Sequence, residues 1–295
     1  MPRTHAARAF APAALVLAAL SGCGDPAPAP APGATDTGAG PEAELRTPPT
    51  YSGGACPTLV EGAQDFATGD TAYGVRVLLP AEPAGAPVLF AWHWLGGSAG
   101  SLINALDLDD LAEEEGVIVI APESDGSRFE WHFTEGPDGN PDLLLFEDLL
   151  SCAHATWGVD LDRIYATGMS AGGVMTSYVT VYESDWLAAT APLSGGADPY
   201  ISPEQPIPVM ITWGGPSDTY GGGAVRFEDL SLTFSAGLQA DGHFVVECDH
   251  GRGHTLPPWG IGPVWSFLSA HPKGVSPSPW ADGLPADMPS DCRIP

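Results

Sequence analysis

The segment Arg163-Ile-Tyr-Ala-Thr-Gly168-Met-Ser170-Ala-Gly172-Gly173 constrains this chain more than any other. An apolar strand runs straight into Gly-x-Ser-x-Gly, and a helix is predicted to follow over 171–182. Such a strand–turn–helix junction holds its serine in a strained backbone conformation and lifts the hydroxyl above the sheet edge. Gly168 and Gly172 let the strand and the helix approach closely. The helix N-terminal amides, with the positive end of the dipole, face the same point. Ser170 is therefore the expected nucleophile. A second match, Gly96-Gly-Ser98-Ala-Gly100, follows the strand predicted over 87–93 only after a two-residue gap. Its richness in glycine makes Ser98 an expected turn residue or helix N-cap instead.

The N-terminus belongs to a different class of segment. Arg3 and Arg8 precede the apolar run Ala9–Leu20, and Leu20-Ser-Gly-Cys23 follows. Residues 1–22 read as an export signal too short to span a bilayer. Its end is similar to a bacterial lipobox, in which Cys23 becomes the lipid-modified first residue. The competing reading is an ordinary signal peptide that happens to carry a cysteine. Residues 23–50 are Pro, Ala, Gly, Thr and Asp with almost nothing to bury, as in a disordered tether. Residues 51–295 suffice for one α/β domain. The expected location is outside the cytoplasm, tethered through lipid at Cys23 to a bacterial membrane or released.

Charge and cysteines narrow the partners. The formal charge is −27, and loss of Arg3 and Arg8 with the signal makes it −29. Such a chain repels polyanions, so nucleic acid and anionic headgroups are excluded as specific partners. The membrane is expected to be met only through the anchor. Cys56, Cys152, Cys248 and Cys292 remain, an even number in an exported chain, which predicts two disulfides with three pairings open. Cys56 and Cys292 lie where a staple would hold loose termini. No two cysteines have metal-ligand spacing, so no metal site is expected.

Strands are predicted over 73–79, 87–93, 117–121, 163–167, 188–193, 208–213 and 243–248. Helices are predicted over 102–115, 142–157, 171–182, 224–240 and 262–270. This alternation gives a mostly parallel sheet with helices on both faces. In such sheets the ligand crevice lies outside the carboxyl ends of the strands. That edge selects partners for Ser170. Asp218 lies in a loop after the strand ending at Trp213, ahead of Asp198 as the orienting acid. Asp229 and Asp241 fall elsewhere. Of the histidines, His243 begins a strand at the wrong edge, and His93 suits a structural hydrogen bond. His250 and His254 both follow the last strand; the longer reach and Gly253 favour His254 as general base. Backbone donors for an oxyanion are expected at Ala171 and Leu95, with Trp94 next in line. Trp94, Trp131 and Trp213 are expected pocket walls, and Glu123 and Asp125 share the same edge.

Phe90-Ala-Trp-His-Trp-Leu-Gly-Gly, Val159–Gly173 and Gly253-His-Thr-Leu-Pro together resemble the secreted poly(3-hydroxybutyrate) depolymerases and feruloyl esterases, which have the α/β-hydrolase fold. The resemblance covers about residues 62–259. It implies Ser170 as nucleophile, Asp218 as orienting acid, His254 as base, and hydrolysis of carboxylic esters through an acyl-enzyme with no cofactor. Relatives commonly carry His-Gly before the acid, where this chain has Gly214-Gly-Pro-Ser. The expected substrates are feruloyl- or acetyl-type or hydroxyalkanoate esters, as small molecules, on polysaccharide or in a polyester. A polyester depolymerase, or an inactive hydrolase fold serving as a binding lipoprotein, is the alternative.

Overall fold

A computed structural model describes residues 46–295. The expected export signal, Cys23 and the expected tether as far as residue 45 lie outside the described residues. Nine strands form one sheet: β1 (Gly62–Thr68), β2 (Thr71–Leu78), β3 (Val88–Trp92), β4 (Ile118–Pro122), β5 (Ile164–Met169), β6 (Ala189–Leu193), β7 (Val209–Trp213), β10 (Val245–Asp249) and β11 (Cys292–Arg293). A separate two-stranded ribbon consists of β8 (Thr219–Tyr220) and β9 (Val225–Arg226). The sheet order is β1-β2-β4-β3-β5-β6-β7-β10-β11. The six strands from β4 to β10 run parallel, and antiparallel strands close both edges.

The parallel strands are buried on both faces, which is why they read as near-continuous apolar runs. Alternation divides their side chains between two core layers. Phe90 and Trp92 enter the layer beneath α3 (Pro141–Trp157), α4 (Ala171–Tyr182) and α5 (Phe227–Ala240). Leu89 and Ala91 enter the layer beneath α1 (Ala99–Leu106), α2 (Leu108–Glu115) and α6 (Gly262–Ala270). The chain leaves β3 toward β4, then returns across β3 to β5, so the order reverses between β3 and β5. A crevice at the carboxyl ends is expected at such a reversal.

Four elements differ from the sequence reading. The expected 102–115 helix is two helices, because Asp107 takes a left-handed conformation (φ 51°) between them. β1, whose polar Gln64 and Asp65 hide it, is an edge strand paired antiparallel to β2. The helix expected from residue 224 begins at Phe227, since Val225 and Arg226 pair with Tyr220 and Thr219 instead. β11 adds a short antiparallel edge to β10. The disulfides join Cys56 to Cys152 and Cys248 to Cys292. Cys56 is thus tied to α3 and Cys292 to β10, so the two ends of the domain are not joined to each other. No helix among the described residues is long and apolar enough to cross a membrane.

Candidate active site

The junction after β5 is as tight as its glycines require. A Cβ at Gly172 would stand 1.8 Å from the Trp92 carbonyl oxygen, and one at Gly168 would stand 2.5 Å from that of Gly172. No side chain fits at either position. Ser170 has φ 60° and ψ −118°, conformational strain that persists only where the surroundings impose it. Its N–H donates to Leu193 O (2.9 Å) and its carbonyl accepts from Val174 N–H (2.8 Å), which fixes the turn from both sides.

The loops after β7 and β10 bring two partners to this hydroxyl. His254 Nε2 lies 2.9 Å from Ser170 Oγ, and His254 Nδ1 lies 2.7 Å from Asp218 Oδ1. Asp218 is fully buried. Its other oxygen accepts from Gly214 N–H and from Ser194 Oγ–H, both at 2.8 Å. Burial alone would push this carboxyl up, but the hydrogen bonds from His254, Gly214 and Ser194 together hold it below its ordinary value. An ionised carboxylate holds the proton of a neutral imidazole on Nδ1, leaving Nε2 free to accept from the serine. The ring of Phe227 stacks on His254 at 4.4 Å and 10°, so the base is fixed on its edge and on one face.

The other expected residues separate clearly. Leu95 and Ala171 both line the cleft with Ser170 and His254. Ala171 opens α4 and has no intrahelical acceptor for its N–H; Leu95 N–H has no partner among the described residues. The loop carrying Leu95 is held from both sides. His93, fully buried, accepts from Ser124 N–H at Nε2 (3.2 Å), which leaves Nδ1 to donate to Trp94 O (2.9 Å). Glu130 accepts from Gly96 N–H (2.9 Å). Trp94 lines the cleft as expected.

Trp131 and Trp213 do not. Trp131 is 1% exposed, stands edge-on to Trp92, and donates its indole N–H to His93 O at 2.9 Å, propping the end of β3 from within the core. Trp213 continues the inward series Val209, Ile211, Trp213 along β7, so alternation turns it into the core layer and not the crevice. Ser98 caps α1 through Ser101 N–H. His250 is buried with no partner for Nε2 among the described residues, and Asp198 lines the cleft without joining this hydrogen-bonded chain. Glu123 accepts from Ala99 N–H, and Asp125 pairs with His132. Ser194 and Phe227 escaped the sequence reading. Ser194 stands directly after β6 at the carboxyl edge, where the edge rule could have found it; no local signal marks Phe227.

The cleft over Ser170 has a volume of about 1160 Å³. Its walls are chiefly apolar and include Phe129, Phe133, Ala197 and Ile201.

No family model matches the chain. It is 23% identical to an oxidized polyvinyl alcohol hydrolase of Sphingopyxis sp. (strain 113P3), over 59% of this chain and 58% of that protein. It is 29% identical to feruloyl esterase B of Talaromyces funiculosus, over 40% of this chain and 33% of that one. The chain spans about half the length of the curated relatives it matches. Among solved structures, native sOPH superimposes with a TM-score of 0.66 at 19% identity, covering 81% of this chain and 96% of that one. The acetyl xylan esterase of Aspergillus awamori gives 0.52 at 15%, covering 66% and 95%. The fold is the α/β-hydrolase fold.

Proposed function

We propose that the protein is a serine carboxylic-ester hydrolase in which Ser170, His254 and Asp218 form the catalytic triad. One observation carries the reading: an unbroken hydrogen-bonded chain from a buried carboxylate through His254 to a serine held at positive φ. His254 Nε2 takes the Ser170 proton as Oγ attacks the ester carbonyl carbon. The oxygen of the tetrahedral intermediate is stabilised by the N–H groups of Ala171 and Leu95, each worth about 3–4 kcal/mol in sites of this type. Collapse breaks the bond to the alcohol oxygen, which receives its proton from His254. The same base then activates water, which releases the acid and restores Ser170. Asp218 stays ionised throughout and steadies the imidazolium.

Relatives named as feruloyl and acetylxylan esterases put bulky or polymer-borne esters among the candidates. The two disulfides support a location outside the cytoplasm, and the proposed anchor is acylated Cys23. The test is turnover of p-nitrophenyl acetate by wild type and Ser170→Ala. The variant is expected to lose at least a thousandfold in kcat. Equal rates would leave a hydrolase fold used only for binding. Methyl ferulate, acetylated xylan and hydroxybutyrate oligomers then rank the substrate classes.

A further inference from the structure

Helix α4 does more than carry the turn after Ser170. Its residues Ala171, Val174, Tyr178, Val181 and Tyr182 all line the cleft. These positions recur every three or four residues and so form one stripe along the helix. The stripe runs the full length of α4, about 16 Å at 1.5 Å per residue. Phe133 from the 124–140 loop and Ile201 from the loop after β6 line the same cleft. The far end is stiff: the rings of Tyr178 and Tyr182 pack at 4.7 Å, and Tyr178 donates its hydroxyl to Glu135 O at 2.9 Å. A reaction centre alone needs no such trough.

Resting on the ester-hydrolase reading above, we infer that the α4 stripe is a subsite for a long, uncharged, apolar acyl arm. Its direction follows from the chemistry. The leaving alcohol must stay beside His254 Nε2, whereas α4 begins at Ala171, whose N–H faces the carbonyl oxygen. The arm that follows α4 is therefore the acyl arm. Its charge follows from the walls. Arg226 is the only Lys or Arg among the described cleft residues, and it is paired with Asp229 at 2.7 Å, while Glu135 and Asp198 also line the space. A terminal carboxylate on the arm meets apolar surface and like charge.

The experiment is a series of p-nitrophenyl esters from acetate through butyrate and octanoate to dodecanoate, with wild type, Val174→Trp and Val181→Trp. For wild type, kcat/KM is expected to rise at least tenfold from acetate to dodecanoate and to fall at least tenfold when the arm ends in a carboxylate. Val174, about 5 Å along the helix from Ala171, and Val181, about 15 Å along, set two depths. The Trp at 174 is expected to cut the series at butyrate, and the Trp at 181 only at dodecanoate. As a measurement free of variants, alkyl trifluoromethyl ketones should inhibit wild-type acetate turnover more tightly with each added length up to dodecyl. A flat series, the same cutoff in both variants, or chain-length dependence only in alkyl acetates overturns the subsite while leaving the hydrolase reading standing. Absence of any ester turnover by wild type overturns both.

Discussion

Replacing Asp218 by Asn changes one oxygen into an amide nitrogen and leaves the shape unaltered. Its consequence can be worked out from the partners of each carboxylate oxygen. Oδ2 accepts from Gly214 N–H and Ser194 Oγ–H, and Oδ1 accepts from His254 Nδ1–H. Gly214 N–H is a fixed main-chain donor, whereas Ser194 can rotate its hydroxyl. Turning the new NH₂ toward Gly214 would set two donors against each other in a fully buried place, at a cost of about 1–3 kcal/mol. The amide therefore places its oxygen there and its NH₂ against His254 Nδ1. That forces the imidazole proton onto Nε2, and the base can no longer accept from Ser170. Loss of the orienting acid in sites of this type costs about 10⁴ in kcat, equivalent to about 5 kcal/mol of barrier. The assay is p-nitrophenyl acetate hydrolysis at neutral pH, with circular dichroism to verify the fold. A variant that retains kcat within tenfold of wild type would refute the assignment of Asp218 and the tautomer argument with it.

Other consequences can be measured separately. Phe227→Leu removes the ring stacked on His254; at about 0.5–1.5 kcal/mol for such a contact, kcat should fall up to roughly tenfold with KM changed less. An unchanged kcat would show that the stack is incidental. Burial alone would lower His132, but the hydrogen bonds its ring donates to Glu135 and Asp125 raise it to about 9. Its folded pKa therefore exceeds its unfolded value, so its stabilising effect is complete below about 6.5 and is lost as pH rises through 9. His132→Gln should flatten the decline in thermal midpoint across that window, and an identical decline in both proteins contradicts this. Replacing the Cys56–Cys152 pair by alanines, which opens a separation of 96 residues, should cost at most about 5 kcal/mol. Calorimetry would read this as a drop of roughly ten to twenty degrees, and no drop means the bond is absent or idle.

The parallel core was legible because strands buried on both faces must be almost wholly apolar, as β3 to β7 are apart from Thr167, Thr190 and Thr212. The turn at Ser170 was legible because only glycine can occupy 168 and 172. Polar β1 and the β8–β9 ribbon were not, since an edge strand and a two-residue pair carry little periodic signal. The edge rule selected Asp218 and His254, which the fold brings into one hydrogen-bonded chain with Ser170. It misplaced Trp131 and Trp213, because position near a strand end does not say which face a side chain takes. Ser194 was legible only through its place at the carboxyl edge after β6, whereas Phe227 contacts the base through tertiary packing alone, with no sequence pattern to announce it.

If Ser170 alone among the serines is activated, a covalent label will single it out. The wild-type protein treated with a p-nitrophenyl phosphonate should release one equivalent of nitrophenol per chain and lose ester hydrolysis in step. Peptide mass spectrometry should then find the phosphonyl group on Ser170. Labelling at Ser98, or full hydrolytic activity retained with Ser170 unlabelled, would contradict it.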